Sequence, residues 1–76
     1  QLQKEQLLSV TFRDPDFSQI ERLENTLNTK GLSLERVEIA KENNQLIVVF
    51  KVSGKKKYLV KMSETLATVP EIISFS

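Results

Sequence analysis

The sequence predicts an α+β fold, and three observations predict it. Apolar residues recur at every second position in separate short stretches, the spacing of strands with a covered face. Two longer stretches repeat apolar residues at three- and four-residue intervals, the spacing of amphipathic helices. Between these stretches fall the chain's glycines, prolines and paired asparagines, the residues that turn a backbone.

The first strand is LLSVTFR, residues 7–13, where Leu8, Val10 and Phe12 point one way and Ser9, Thr11 and Arg13 the other. It stops at Asp14-Pro15-Asp16. Either aspartate can cap a helix, Pro15 suits a first helical turn, and Asp16 with Gln19 has the spacing of a capping box. The helix that follows, residues 17–30, carries Phe17, Ile20, Leu23 and Leu27 on one stripe, with Glu21, Arg22, Glu24, Asn25 and Asn28 opposite. Gly31 ends it, because a left-handed terminal residue gives glycine no Cβ clash.

Residues 32–41, LSLERVEIAK, form the second strand with Val37 and Ile39 facing inward. Leu34 is out of phase with that pair, so the strand either starts late or bulges there. Glu42-Asn43-Asn44 supplies a tight turn, since asparagine tolerates positive φ. In QLIVVFKV, residues 45–52, Leu46, Val48, Phe50 and Val52 line one face and Ile47 and Val49 the other, as in a central strand.

Residues 55–62 alternate poorly, because both alternate sets contain apolar side chains. Helical spacing fits better: Leu59, Met62, Leu66 and Val69 make one continuous stripe. The second helix therefore starts at Lys55 or Lys57 and runs through Thr68, where Pro70 breaks it. EIISFS, residues 71–76, closes the chain as a short strand with Ile72 inward. In one compact layer pair this order is the ferredoxin-like βαββαβ arrangement: a four-stranded antiparallel sheet, two helices on one face, first and third strands central.

Composition narrows the chemistry. A chain of 76 residues makes one small domain, and such a domain buries only about 60–65% of its unfolded surface. The absence of cysteine removes disulfides and thiolate zinc sites. The absence of histidine removes the commonest general base, the switch near neutral pH and the usual transition-metal ligand. Eleven basic residues against ten acidic ones leave no overall basic excess for a nucleic-acid partner. The longest apolar run, LIVVF, is far short of the roughly 20 residues that cross a bilayer. The chain opens QLQKEQ without methionine, and the expected organisation is a linker remnant over residues 1–6 before a single domain over 7–76, cut from something longer.

Lys55, Lys56 and Lys57 are the most conspicuous candidate site. Lysine sits badly against the N-terminal end of a helix dipole, and an anion or anionic lipid would relieve the mismatch; as a solvated helix start the same lysines need no ligand. Asp14 and Asp16 could share a hard cation, but both are already explained as helix caps. The charges at Glu35, Arg36, Glu38, Lys41 and Glu42 decorate an expected edge strand, where they guard against stray pairing. Recognition of RNA on the sheet needs aromatics on the two central strands, and here only Phe12 and Phe50 stand there, both assigned to the core. The serines have no histidine to activate them, so no catalytic residue is expected, and neither a cofactor nor a resident metal.

VTFRDPDFSQIERLENTL, the hairpin LERVEIAKENNQLIVVFKV and the tail LATVPEIISFS resemble an ACT-like domain, more narrowly the C-terminal soluble domain of the MgtC/SapB family of bacterial membrane proteins. Leu66 and Val69-Pro70 match that family's helix-to-strand corner, Glu71 stands where glycine is common, and Ile72 and Phe75 match its last strand. The resemblance covers residues 7–76 and implies a regulatory or protein-interaction domain on the cytoplasmic side of the inner membrane, linked to magnesium homeostasis. It implies contact with the rest of a membrane protein or self-association, no nucleic acid, and peripheral contact of the lysine triplet with anionic lipid. The alternative is an amino-acid-sensing ACT domain of a cytosolic enzyme or transcription regulator. Such domains carry a glycine after the proline of the first strand–helix loop; Asp16 stands there in this chain.

Overall fold

The periodicities resolve into six elements in the computed structural model of the chain, which describes residues 3–76. They are β1 (Gln3–Phe12), α1 (Ser18–Asn28), β2 (Ser33–Glu42), β3 (Gln45–Lys55), α2 (Lys56–Ala67) and β4 (Ile72–Phe75). All strand pairs are antiparallel, in the order β2-β3-β1-β4. The fold is ferredoxin-like, with β1 and β3 central as the crossover rule requires.

One sheet face carries the core. Leu8, Val10 and Phe12 of β1 and Leu46, Val48, Phe50 and Val52 of β3 are all buried there. Ile20, Leu23 and Leu27 of α1 and Leu59, Met62 and Leu66 of α2 close over them in the same cluster, so both helices cover one face. Asn43 and Asn44 take φ of 51° and 62° in the β2–β3 turn, the two positive angles that match a hairpin's twist. Gly54 allows close approach where β3 meets the chain after α1: a Cβ there would lie 2.6 Å from Leu32 Cδ2 and 3.2 Å from the Gly31 carbonyl oxygen.

Three expectations are corrected. Residues 3–6 are not linker: Gln3, Lys4, Glu5 and Gln6 pair with Lys55, Gly54, Ser53 and Val52, and only Gln1 and Leu2 lie outside the described residues. These four side chains are exposed, so backbone pairing alone makes this end a strand. Phe17 is 58% exposed, because the helix begins one residue later and buries Gln19 instead. In β2, a bulge between Arg36 and Glu38 resets the alternation, one of the two alternatives that the phase of Leu34 left open. Leu34, opposite Val52, and Ile39, opposite Val48, therefore share the helix side of the sheet, with Ile39 37% exposed at the edge. Val37 is the bulged residue and is 55% exposed.

Candidate interaction surface

The Asp14-Pro15-Asp16 corner is internally satisfied. Asp16 Oδ1 accepts from the Ser18 backbone N–H at 2.9 Å and the Ser18 hydroxyl at 2.8 Å. Gln19 Nε2 donates to the carbonyls of Asp14 and Asp16, both at 2.7 Å. The expected capping box is thus inverted: Gln19 donates to carbonyls where a box would have it accept an N–H. Its burial follows, since a carboxamide with two such partners can leave water.

The Ser18 hydroxyl, then the Ser18 N–H and more weakly the Arg22 charge hold the Asp16 carboxyl below its ordinary 3.8, against a slight desolvation. A carboxylate with a lowered folded pKa stabilises the fold above its unfolded pKa, and that contribution disappears as pH falls through the folded value. Asp16→Asn keeps an acceptor but cannot ionise. Urea midpoints measured from neutral pH down through the carboxylate range are expected to fall more steeply for the parent chain than for Asp16→Asn. Parallel curves would show that the corner's ionisation is not linked to folding.

The lysine triplet diverges. Lys55 ends β3, and Lys56 and Lys57 open α2, whose first turn holds no acidic residue and no side-chain cap. Lys57 Nζ stands 5.2 Å from the Tyr58 ring centroid, a cation–π contact. Lys56 instead lines a shallow groove with Lys4, Gln6, Leu59 and Val60. The helical turn between consecutive residues separates them, so they do not form one anion cradle.

The charges of β2 do more than guard an edge. Arg36 forms a two-pronged ion pair with Glu24 of α1, at 2.7 and 2.8 Å, which raises the guanidinium's proton affinity and ties β2 to the helix layer. Lys51 and Glu35, paired across β2 and β3, approach to 3.5 Å. Arg22 binds Glu71 at 2.9 Å, linking α1 to the start of the last strand.

The remaining surface of note is the sheet face turned away from the helices. Ile47 and Val49 sit half-buried in its middle, and Leu7, on the outward set of β1, is 66% exposed. Val37 and Ile73, each the extra residue at a register shift on an edge strand, are 55% and 45% exposed. Ser9 and Thr11 share this face by the alternation of β1. Phe12 and Phe50 point the other way, into the core, and cannot stack on bases. Leu7 and Ile73 were not singled out by sequence reasoning, though Leu7 is an apolar residue on the outward set of an alternating strand. Val60 was missed too, lying off the buried stripe of α2 and 66% exposed. Among the described residues no three metal-ligating side chains cluster, and no helix is long and apolar enough to cross a membrane. Comparisons with protein-family models, curated proteins and solved structures return no match.

Proposed function

We propose that this chain is a non-catalytic regulatory or interaction domain, the cytoplasmic C-terminal part of an MgtC/SapB-like inner-membrane protein linked to magnesium homeostasis, and that it acts by protein contact. The observation that carries the contact reading is the open sheet face, where Leu7, Ile47 and Val49 gather aliphatic surface in reach of water. Aliphatic groups gathered on one face favour a protein partner over a small polar ligand. The family reading is supported by the tail: Leu66 is buried, Val69, Ile72 and Phe75 pack against the core, and the turn between them holds Pro70. Against the amino-acid-sensing alternative, the loop after β1 already satisfies its own polar groups through Ser18 and Gln19.

Sedimentation velocity over a concentration series tests the contact. The parent chain is expected to form a reversible dimer, and Val49→Glu, which places a charge in the middle of the open face, to stay monomeric at every concentration. Monomeric behaviour of both chains at millimolar concentration would overturn self-association through this face.

A further inference from the structure

The sheet has a gap that follows from unequal strand lengths. β1 has ten residues and pairs with β3 along all of them, whereas β4 has four residues and pairs only with Val10, Thr11 and Phe12. The last link is Ser9 with Ser76, whose backbones exchange two hydrogen bonds of 3.0 Å. Backbone groups along a strand alternate sides with period two, so Gln3, Glu5 and Leu7 turn their N–H and C=O the same way as Ser9. Among the described residues nothing meets them there. Three donors and three acceptors stand in a row along an open edge.

Two hollows lie end to end between this edge and α2. The first, about 280 Å³, has an apolar floor of Leu8, Leu59, Met62 and Phe75. The second, about 290 Å³, is bounded by Lys4, Lys56, Leu59 and Val60. Gln6 and Leu59 border both, so the two are neighbours along β1. Leu8, Gln6 and Lys4 are the alternate β1 positions that face the helix side. Leu7 and Val60, each 66% exposed, flank the gap, one on the outer sheet face and one on α2.

We propose that the gap is a strand-addition site for an extended peptide segment of another protein, antiparallel to β1 and beginning opposite Leu7, with an apolar side chain opposite Gln6 and a carboxylate opposite Lys4. The residues opposite Leu7, Glu5 and Gln3 take up the free backbone groups, and those opposite Gln6 and Lys4 enter the hollows. The apolar floor of the hollow that Gln6 borders selects an apolar side chain opposite Gln6. At the far end Lys4 and Lys56 stand beside the start of α2, whose first turn lacks any carboxylate, so an incoming one meets two cations and the positive end of a helix. A second copy of this chain fits worse. The two-fold pairing of β1 with itself that uses all three free positions sets Gln3 opposite Leu7 and Glu5 opposite Glu5, and like charges directly opposite are destabilising. The site is distinct from the open sheet face and does not depend on it.

The test is a titration of the isotope-labelled chain with the peptide Thr-Val-Lys-Glu-Thr-amide, whose first residue lies opposite Leu7, followed by amide shifts and hydrogen exchange. Shifts are expected along residues 3–8, with slowed exchange at the Gln3, Glu5 and Leu7 amides. Replacing the peptide's glutamate by lysine is expected to weaken binding about fivefold, and Lys4→Glu to reverse that preference. Absence of shifts along residues 3–8, or unchanged exchange at the three amides, overturns strand addition. Equal affinity of both peptides overturns the carboxylate step. Loss of those shifts when the Leu8 hollow is filled by Ser63→Phe supports the site. Concentration-dependent protection of the three amides without peptide would give the gap to a second copy and overturn the proposal. Phosphatidylserine vesicles that displace the peptide, and do so no longer with Lys55, Lys56 and Lys57 all replaced by glutamine, would reassign the basic end to lipid.

Discussion

Phe50→Ala is expected to remove about 3–5 kcal/mol of stability, most or all of what this domain has. Phe50 is fully buried in the middle of β3, paired with Leu8 on one side and Arg36 on the other. It lies beneath the layer formed by both helices, so truncation opens a cavity that no loop can collapse to fill. Globular domains hold about 0.05–0.15 kcal/mol per residue, and a chain of 76 residues without cysteine has no covalent staple to raise that figure. Circular dichroism and urea titration measure the loss directly. Phe17→Ala is the control, because its ring is 58% exposed and adds little to the core. The pair of variants separates two phenylalanines that sequence periodicity places in the same core. A loss below about 2 kcal/mol for Phe50→Ala would mean that the interior relaxes around the cavity.

That comparison shows where the sequence is readable. Periodicity reports an element correctly when one face is covered along its whole length. α2 is such an element: Leu59, Met62 and Leu66 are buried and Val69 continues the stripe past the helix end, which is why helical spacing outweighed the lysines before it. Periodicity fails at ends and at irregularities. Phe17 has the right spacing but stands before the first turn, and Gln19 is buried in its stead because two carbonyls receive its carboxamide. Leu34 and Ile39 share the helix side of β2 only because a bulge lies between them, and it is Val37, the extra residue there, that leaves its expected place. Polar residues 3–6 hold no apolar alternation, since neither face of β1 is covered there; their partners are the backbone of residues 52–55.

The candidate surfaces were less readable than the fold. The gap beside β1 is a difference between two strand lengths and has no residue signature of its own. The lysine triplet was visible, but its splitting around α2, with Lys56 toward the gap and Lys57 over Tyr58, depends on the residue at which the helix begins. Arg36 looked like a solvated edge charge because its partner, Glu24, sits on the other side of the intervening loop.

Gly31→Ala is expected to cost about 2–4 kcal/mol, from two separable causes. The residue has φ of +86°, and its N–H bonds back to the Asn28 carbonyl while the Leu32 N–H reaches Leu27, so the end of α1 depends on this left-handed step. An alanine forced into that conformation loses about 1–2 kcal/mol. A Cβ would also stand 2.8 Å from Cδ2 and Cε2 of Tyr58, nearer than carbon atoms pack, and the ring would have to leave the wall of a groove of about 420 Å³. Moving it also breaks the contact with the Lys57 ammonium. A double-mutant cycle with Tyr58→Ala divides the two causes. If the ring is responsible for part of the loss, Gly31→Ala should be milder in the Tyr58→Ala background by more than the roughly 0.3–0.5 kcal/mol within which independent sites add. Strict additivity would assign the whole effect to the backbone. Glycine would then be required at residue 31 by the turn after α1 alone, and Tyr58 would be free to take other rotamers without loosening the helix layer.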